Sequence, residues 1–259
     1  MSSPEVTHLS SRDNPLLKEL RRLSQDSTAY RKRGRLWLEG DHLCRASLQR
    51  GLRPVQAVFA ESLLPQALGA WALGGVKFFS VPDALMGEIS GLESPARMGF
   101  VLDLPPAPAV QAGVATVILD RLQDAGNVGS ILRSASAFGF AQVIALKGTA
   151  ALWSPKVLRA GMGAHFGLQL VEGADVAALA ALALPIIATS SHLGEWLHAT
   201  RLPYPCAWAL GHEGQGVGEE LMQRAALSVR IAQPGGEESL NVAAAAAICL
   251  HASATSALR

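Results

Sequence analysis

The chain's apolar positions switch repeatedly between two spacings. Leu16, Leu20 and Leu23 recur at helical intervals behind Asn14-Pro15, where Asn14 can cap and Pro15 suits the first helical position. Lys18, Arg21 and Arg22 then point away from that stripe. A basic loop, Tyr30-Arg31-Lys32-Arg33-Gly34-Arg35, leads into a strand at 36–39, and Gly40-Asp41 caps a helix ending before Gly51. Strands at 55–60, 76–81 and 98–102 alternate with helices at 63–73 and 84–89, a small βαβαβ unit. The run Pro105-Pro106-Ala107-Pro108-Ala109 reads as a semi-rigid linker. It sets the expected organisation: a first domain over 1–104, a linker over 105–113 and a second domain over 114–259.

The second half alternates again. Short apolar runs at 115–119, 143–146, 168–171, 186–189, 207–210 and 228–232 are separated by stretches expected to be helical, with a last helix from about 240 to 253. Six such strands predict an α/β domain with a mostly parallel sheet covered by helices on both faces. Ligands of such sheets bind at the carboxyl ends of the strands.

Composition adds to this picture. With 49% hydrophobic and 17% charged residues among 259, a well-buried core is expected and disorder is not. The net charge of +1 is uninformative, but residues 1–60 hold 11 Lys/Arg against 6 Asp/Glu, and the balance reverses afterwards. A basic head fits an anionic partner, although a solvated helix face would look the same. Cys44, Cys206 and Cys249 are scattered, with no metal-ligand spacing, and read as buried thiols in a reducing compartment. No secretory leader opens the chain and no apolar run reaches the roughly 18 residues that would span a bilayer, so a cytoplasmic protein is expected.

Three loops carry the candidate chemistry. In the first, 120–139, Asn127 lies near the start of a helix whose core stripe is Val128, Ile131, Leu132, Ala135 and Phe138. Arg133 lies opposite the stripe among Gly126, Ser130 and Ala137, reachable by a phosphate, a ligand or a second subunit, or simply solvated. The second, Gly211-His212-Glu213-Gly214-Gln215-Gly216-Val217-Gly218, follows a strand; its glycines permit close ligand approach or merely a tight turn. It is no Walker loop, and the chain has no complete dinucleotide-binding fingerprint. In the third, 231–242, Ser239 or Glu238 can cap the last helix, which leaves Asn241 inside its first turn, a poor place for asparagine. The alanines that follow give a smooth helix face suited to close packing, such as against another subunit.

Taken together, Asn127-Val128-Gly129 with Arg133 and Phe138-Gly139, then Gly211 to Gly216, then Glu238-Ser239-Leu240-Asn241-Val242, resemble the three motifs of the SpoU-TrmH family of SPOUT-class methyltransferases. Ser154-Pro155-Lys156-Val157 through Met162-Gly163-Ala164 resembles the family's intervening segment. Ser11 to Leu16 with Leu38-Glu39-Gly40 resembles the ribosomal-protein-like substrate-binding domain of many members. One departure stands out: the family's third motif usually opens Ile-Pro-Met, and this chain reads Ile231-Ala232-Gln233-Pro234.

The resemblance implies a trefoil-knotted SPOUT fold, an obligate homodimer whose sites are completed across subunits, and S-adenosylmethionine-dependent 2′-O-methylation of a ribose in RNA. Ribosomal RNA of the 23S type is expected over tRNA. It implies catalytic roles for Arg133, Asn127, Glu213, Ser239 and Asn241, and cofactor contacts at Gly211, Ile231, Leu240 and Thr189. RNA contacts are expected at Arg12, Asn14, Lys18, Arg22 and Arg33, with no metal and no membrane. The alternative is a non-catalytic RNA-binding or ribosome-assembly factor of the same fold.

Overall fold

The computed structural model describes residues 5–71, 73–90, 94–235 and 239–256, and the chain divides into two units. The first comprises Met1–Pro106 together with Trp153–Phe166, the second Ala107–Leu152 and Gly167–Arg259.

In the first unit the elements run β1 (Val6–His8), α1 (Pro15–Gln25), α2 (Ala29–Arg33), β2 (Arg35–Glu39), α3 (Asp41–Gln49), β3 (Gln56–Ala60), α4 (Leu64–Ala70), β4 (Lys77–Val81), α5 (Asp83–Ile89) and β5 (Met98–Asp103). The strands form one sheet in the order β1-β4-β3-β5-β2; β5 is antiparallel to both its neighbours and the other pairs are parallel. Asn14 caps α1, its Oδ1 accepting from the Leu16 N–H at 2.9 Å. The buried stripe of α1 is Leu17, Leu20 and Leu23, so Leu17 takes the inward place expected of Leu16. Arg21 accordingly turns inward and donates to Glu88 at 3.2 Å instead of pointing to solvent. The expected basic loop is a short helix, α2, stopped by Gly34 in the left-handed region (φ 62°). The helix Pro155–Gly161, capped by Ser154, belongs to this unit and packs on α1 and β2.

The second unit contains β6 (Thr116–Leu119), α6 (Ala125–Ala137), β7 (Gln142–Leu146), β8 (Gln169–Ala174), β9 (Ile186–Thr189), β10 (Glu195–Trp196), β11 (Ala207–Leu210), α8 (Glu219–Gln223), β12 (Leu227–Arg230) and α9 (Val242–Ser256); α7 is the Pro155–Gly161 helix of the first unit. The sheet order is β10-β12-β9-β11-β6-β7-β8, and every pair is parallel. β6, β7 and β11 are buried throughout, as strands covered on both faces must be. On one face Ile118, Ala207 and Ala209 pack with Leu179, Leu182 and Leu221. Val128, Ile131, Leu132 and Ala135 of α6 are fully buried, and α6 packs against α9. Each large side chain so buried contributes about 1.5–3 kcal/mol. Trp208 of β11 is fully buried, and its indole N–H is satisfied by Ser253 Oγ of α9 at 2.8 Å.

Helices do not separate every strand, as the alternation predicted. Val176–Leu182 winds as a 3-10 helix, whose three-residue turn brings Leu179 and Leu182 onto one inward face. Between β9 and β11 stand only the two-residue β10 and a 3-10 turn, Leu197–Ala199. Gln111, in the expected linker, is fastened to this unit: its N–H donates to Gln142 Oε1 at 2.8 Å and its carbonyl accepts from Gln142 Nε2 at 3.2 Å.

Candidate active site

The strand order places β11 between β9 and β6, so the loops leaving β6, β9, β11 and β12 gather along one edge of the sheet. The loop after β6 ends at Asp124, whose carboxylate accepts from the Asn127 N–H at 2.7 Å and thereby caps α6. Asn127 is thus the third residue of the helix and not its cap, and its side chain is released for other partners.

Those partners lie on the other two loops. Asn127 Nδ2 donates to Glu213 Oε1 at 3.2 Å, and Glu213 also accepts from the backbone N–H groups of Gln123 and Asp124, both at 3.3 Å. On its far side Asn127 Oδ1 accepts from Asn241 Nδ2 at 2.9 Å. Asn241 Oδ1 in turn accepts from the N–H groups of Ala243 (2.9 Å) and Ala244 (3.2 Å), which makes Asn241 the cap of α9. Asn241 therefore stands just ahead of the first turn and not within it, which removes the anomaly of an asparagine there. Ser239 precedes the cap and lines the cleft described below; Glu238 lies outside the described residues.

The orientation of both amides in this chain of contacts is dictated by its ends. An ionised Glu213 can only accept, so it draws the NH₂ of Asn127; the N–H groups of α9 can only donate, so they draw the oxygen of Asn241. Three loops far apart in sequence are tied in a single sense. Burial opposes charge on Glu213, but its own backbone N–H, the Asn127 amide and the N–H groups of Gln123 and Asp124 outweigh this and hold its carboxyl below the usual 4.5.

Beside this link opens a cleft of about 650 Å³. Thr189, Gly211, Glu213, Ile231, Ser239, Leu240 and Asn241 all line it, so most of the residues expected to serve catalysis or cofactor binding come together. Gly211 is obligatory: a Cβ there would lie 2.0 Å from the Gly216 carbonyl carbon and the Val217 nitrogen. Gly216 completes the turn at φ 69°, its N–H donating to the His212 carbonyl at 2.8 Å. The Thr189 hydroxyl donates to the Ala209 carbonyl at 3.1 Å, so it serves the sheet while its residue borders the cleft. Sequence reasoning missed Ser190, Ser191 and His192 on the same wall, and assigned no role to His212 or Gln233.

It also missed Asp120 and Arg121, the first residues past β6. The buried Asp120 accepts from the Gly218 N–H at 2.6 Å and pairs with Arg121 Nε at 3.0 Å, while Arg121 Nη1 reaches Gln215 Oε1 at 3.1 Å. Arg121 holds the left-handed conformation (φ 59°) that L-residues rarely adopt. The pair thereby anchors the loop that begins at Gly211 at its middle, Gln215, and at its end, Gly218. A charged pair directly after a buried apolar strand was the available signal.

Arg133 does not line the cleft. It is exposed on α6, on the face of Gly126, Ser130 and Ala137, and forms no ion pair with the described residues. Of the residues expected to meet RNA, Arg12 pairs with Glu88 and Lys18 with Asp13, both at 2.8 Å, and Asn14 serves as the α1 cap. Arg22 and Arg33 are exposed and carry no ion pair among the described residues. All three cysteines are free and buried; burial pushes the Cys206 thiol up to about 11 and the Cys249 thiol to about 12. Among the described residues no group of three or more His, Cys, Asp or Glu is placed to hold a metal ion, and no helix is long and apolar enough to cross a membrane.

Comparison with known proteins identifies the family and the fold. Residues 115–251 match the model of the SpoU rRNA Methylase family. The 23S rRNA (guanosine(2553)-2′-O)-methyltransferase RlmP of Bacillus subtilis is 28% identical, over 83% of this chain and 86% of its own length. Among solved structures, an RNA 2′-O ribose methyltransferase superposes with a TM-score of 0.81 at 27% identity, covering 98% of this chain and all of the other. An AdoMet-bound rRNA methyltransferase from Sinorhizobium meliloti gives 0.80 at 26% identity, with 96% and 97% covered. A family match over more than half the chain, whose range includes the loops that build the cleft, makes this protein a member of the SpoU rRNA Methylase family.

Proposed function

We propose that this protein transfers a methyl group from S-adenosylmethionine to a ribose 2′-hydroxyl of ribosomal RNA of the large-subunit, 23S type. The observation that carries this reading is the cleft at the ends of β9, β11 and β12, walled by three loops held together through Glu213, Asn127 and Asn241. Its residues fit an adenosyl cofactor. About 650 Å³ suits a ligand of that size, and Gly211 keeps side-chain bulk out where loop backbone closes on itself. Backbone groups at Gly211, Ile231 and Leu240, which line the cleft, would hold the cofactor.

The cofactor, when bound, supplies an already activated methyl group. The protein must align the ribose oxygen with it and stabilise the charge that grows on that oxygen. Arg133 is suited to that task. A guanidinium stays charged, so it cannot act as a general base, but it can hold the neighbouring phosphate and the developing alkoxide. A phosphate oxygen or water then takes the proton. Because Arg133 lies outside the cleft lining of its own chain, we assign it to the site of a second copy, in a homodimer. Small exposed residues around it on α6, and the exposed Ile248 on α9, offer the close-packing face. The exposed Arg22 and Arg33 of the first unit hold RNA phosphates, and the free buried thiols suit the cytoplasm.

Ribose-methylation mapping of ribosomal RNA from a deletion strain tests the function: one 2′-O-methyl mark should vanish and return with the wild-type gene. Arg133→Ala should not restore it while keeping S-adenosylmethionine affinity. Turnover near wild type in that variant refutes its role, and unchanged RNA in the deletion strain refutes the substrate.

A further inference from the structure

Past the end of β12 the chain runs Ile231-Ala232-Gln233 along the cleft. Ile231 and Gln233 line it, whereas the exposed Ala232 does not, the alternation of an extended segment. Gln233 therefore presents its side chain on the same side as Ile231. Its Oε1 is shut off from solvent and accepts no hydrogen bond from the described residues. Folded proteins rarely leave a buried acceptor unpaired, and an orphan in a ligand cleft asks for a donor that arrives with the ligand. Ser190, Ser191, His192 and Ser239 line the same cleft, yet none of them donates to it; Asn241 gives its amide hydrogen to Asn127, and an ionised Glu213 has none to give. An apolar residue of the same length would fill the position without that deficit.

We propose that Gln233, which lines the cleft, reads the bound cofactor: the ligand draws its terminal amide round, so that Oε1, out of reach of solvent in the free protein, turns to the cleft and accepts an N–H of the ligand, and binding completes a hydrogen bond the free protein lacks. This rests on the methyltransferase reading above. S-adenosylmethionine and its demethylated product each offer two such donors, the exocyclic amine of adenine and the ammonium of the amino-acid part. Gln233 is thus a selectivity residue for nitrogen donors on the ligand.

The test is titration calorimetry and thermal melting of the full chain, wild type and Gln233→Met, with S-adenosylhomocysteine and with 5′-methylthioadenosine, which keeps the adenine amine and lacks the amino acid. The variant should bind S-adenosylhomocysteine roughly three- to tenfold more weakly, the worth of one hydrogen bond. Without ligand it should melt at the same temperature or higher, since the orphan is gone, and its ligand-induced shift should be smaller than that of wild type. A merely structural role would lower the ligand-free melting temperature instead. The same loss with 5′-methylthioadenosine assigns the bond to the adenine amine; loss confined to S-adenosylhomocysteine assigns it to the ammonium. Equal affinity of the two proteins for S-adenosylhomocysteine overturns the inference alone. Failure of the wild type to bind it overturns the methyltransferase reading as well.

Discussion

The one-way chain from Glu213 through Asn127 and Asn241 to α9 makes a sharp prediction at Asn241, where two functions of one side chain can be separated. Asn241→Ala removes the cap on Ala243 and Ala244 and the bond to Asn127. A lost cap costs about 1 kcal/mol. The bond between two amides that solvent can reach is worth about 0.5 kcal/mol, the low end for such pairs. The sum, about 1.5 kcal/mol, should lower the melting temperature of a unit this size by roughly 3–6 °C. Asn241→Asp keeps an oxygen for the cap but sets a second acceptor against Asn127 Oδ1. If Asn127 flips to meet it, its own oxygen turns on Glu213, so the conflict moves without vanishing. Asp should therefore melt above Ala yet match it in weakened S-adenosylmethionine binding, because the cap survives and the link to the cleft does not. Melting curves and calorimetry at pH 7 read both quantities. An Asp variant binding cofactor as wild type does, or melting as low as Ala, would refute the directional argument.

Three further outcomes are expected. Gly211→Ala must displace the Gly216–Val217 backbone, since its Cβ would lie 2.0 Å from it, so cofactor binding should be lost in calorimetry while circular dichroism still reports a folded chain. Glu213 has its carboxyl held below 4.5 in the folded state; its stabilising effect is thus complete above that value and is lost as pH falls through the depressed one. Glu213→Gln should accordingly flatten the acid limb of stability against pH below about 4.5, and an unchanged limb would count against the link. RNA affinity should fall steeply with salt, and Arg22→Ala and Arg33→Ala should each reduce the slope of log K against log salt by about 1, in filter binding across several salt concentrations; identical slopes would remove these residues from the interface.

The strands were legible because short apolar runs buried on both sides admit few other readings: Ile186–Thr189 and Ala207–Leu210 have the expected bounds. Winding was less legible where composition favours a helix and tertiary packing decides its pitch, as in the Ala- and Leu-rich Val176–Leu182. Caps were misread for a related reason. Asp124 and Asn127 both suit a helix start, as do Ser239 and Asn241, and only the long-range partners Glu213 and Asn127 show which residue each helix uses. Several residues that line the cleft, Gly211, Glu213, Ile231, Leu240 and Asn241 among them, could be picked out from the loops after β11 and β12. That these loops are linked, and that Asp120 and Arg121 anchor the one after β11, depends on strands brought side by side by the sheet order, which no local pattern encodes.

The return of Trp153–Phe166 to the first unit bears on how such proteins can be taken apart. Gly163 lies so close to Ala46 that a Cβ on it would fall 2.5 Å from the alanine methyl, and His42 Nε2 lies 3.3 Å from the Met162 carbonyl. Severing the polypeptide at its proline-rich stretch would leave the amino-terminal fragment without a helix it packs against. The carboxy-terminal fragment would carry that helix with its apolar side bare. Grafting this head onto another member would therefore require transplanting two separate stretches, and a chimera joined at the linker alone should aggregate.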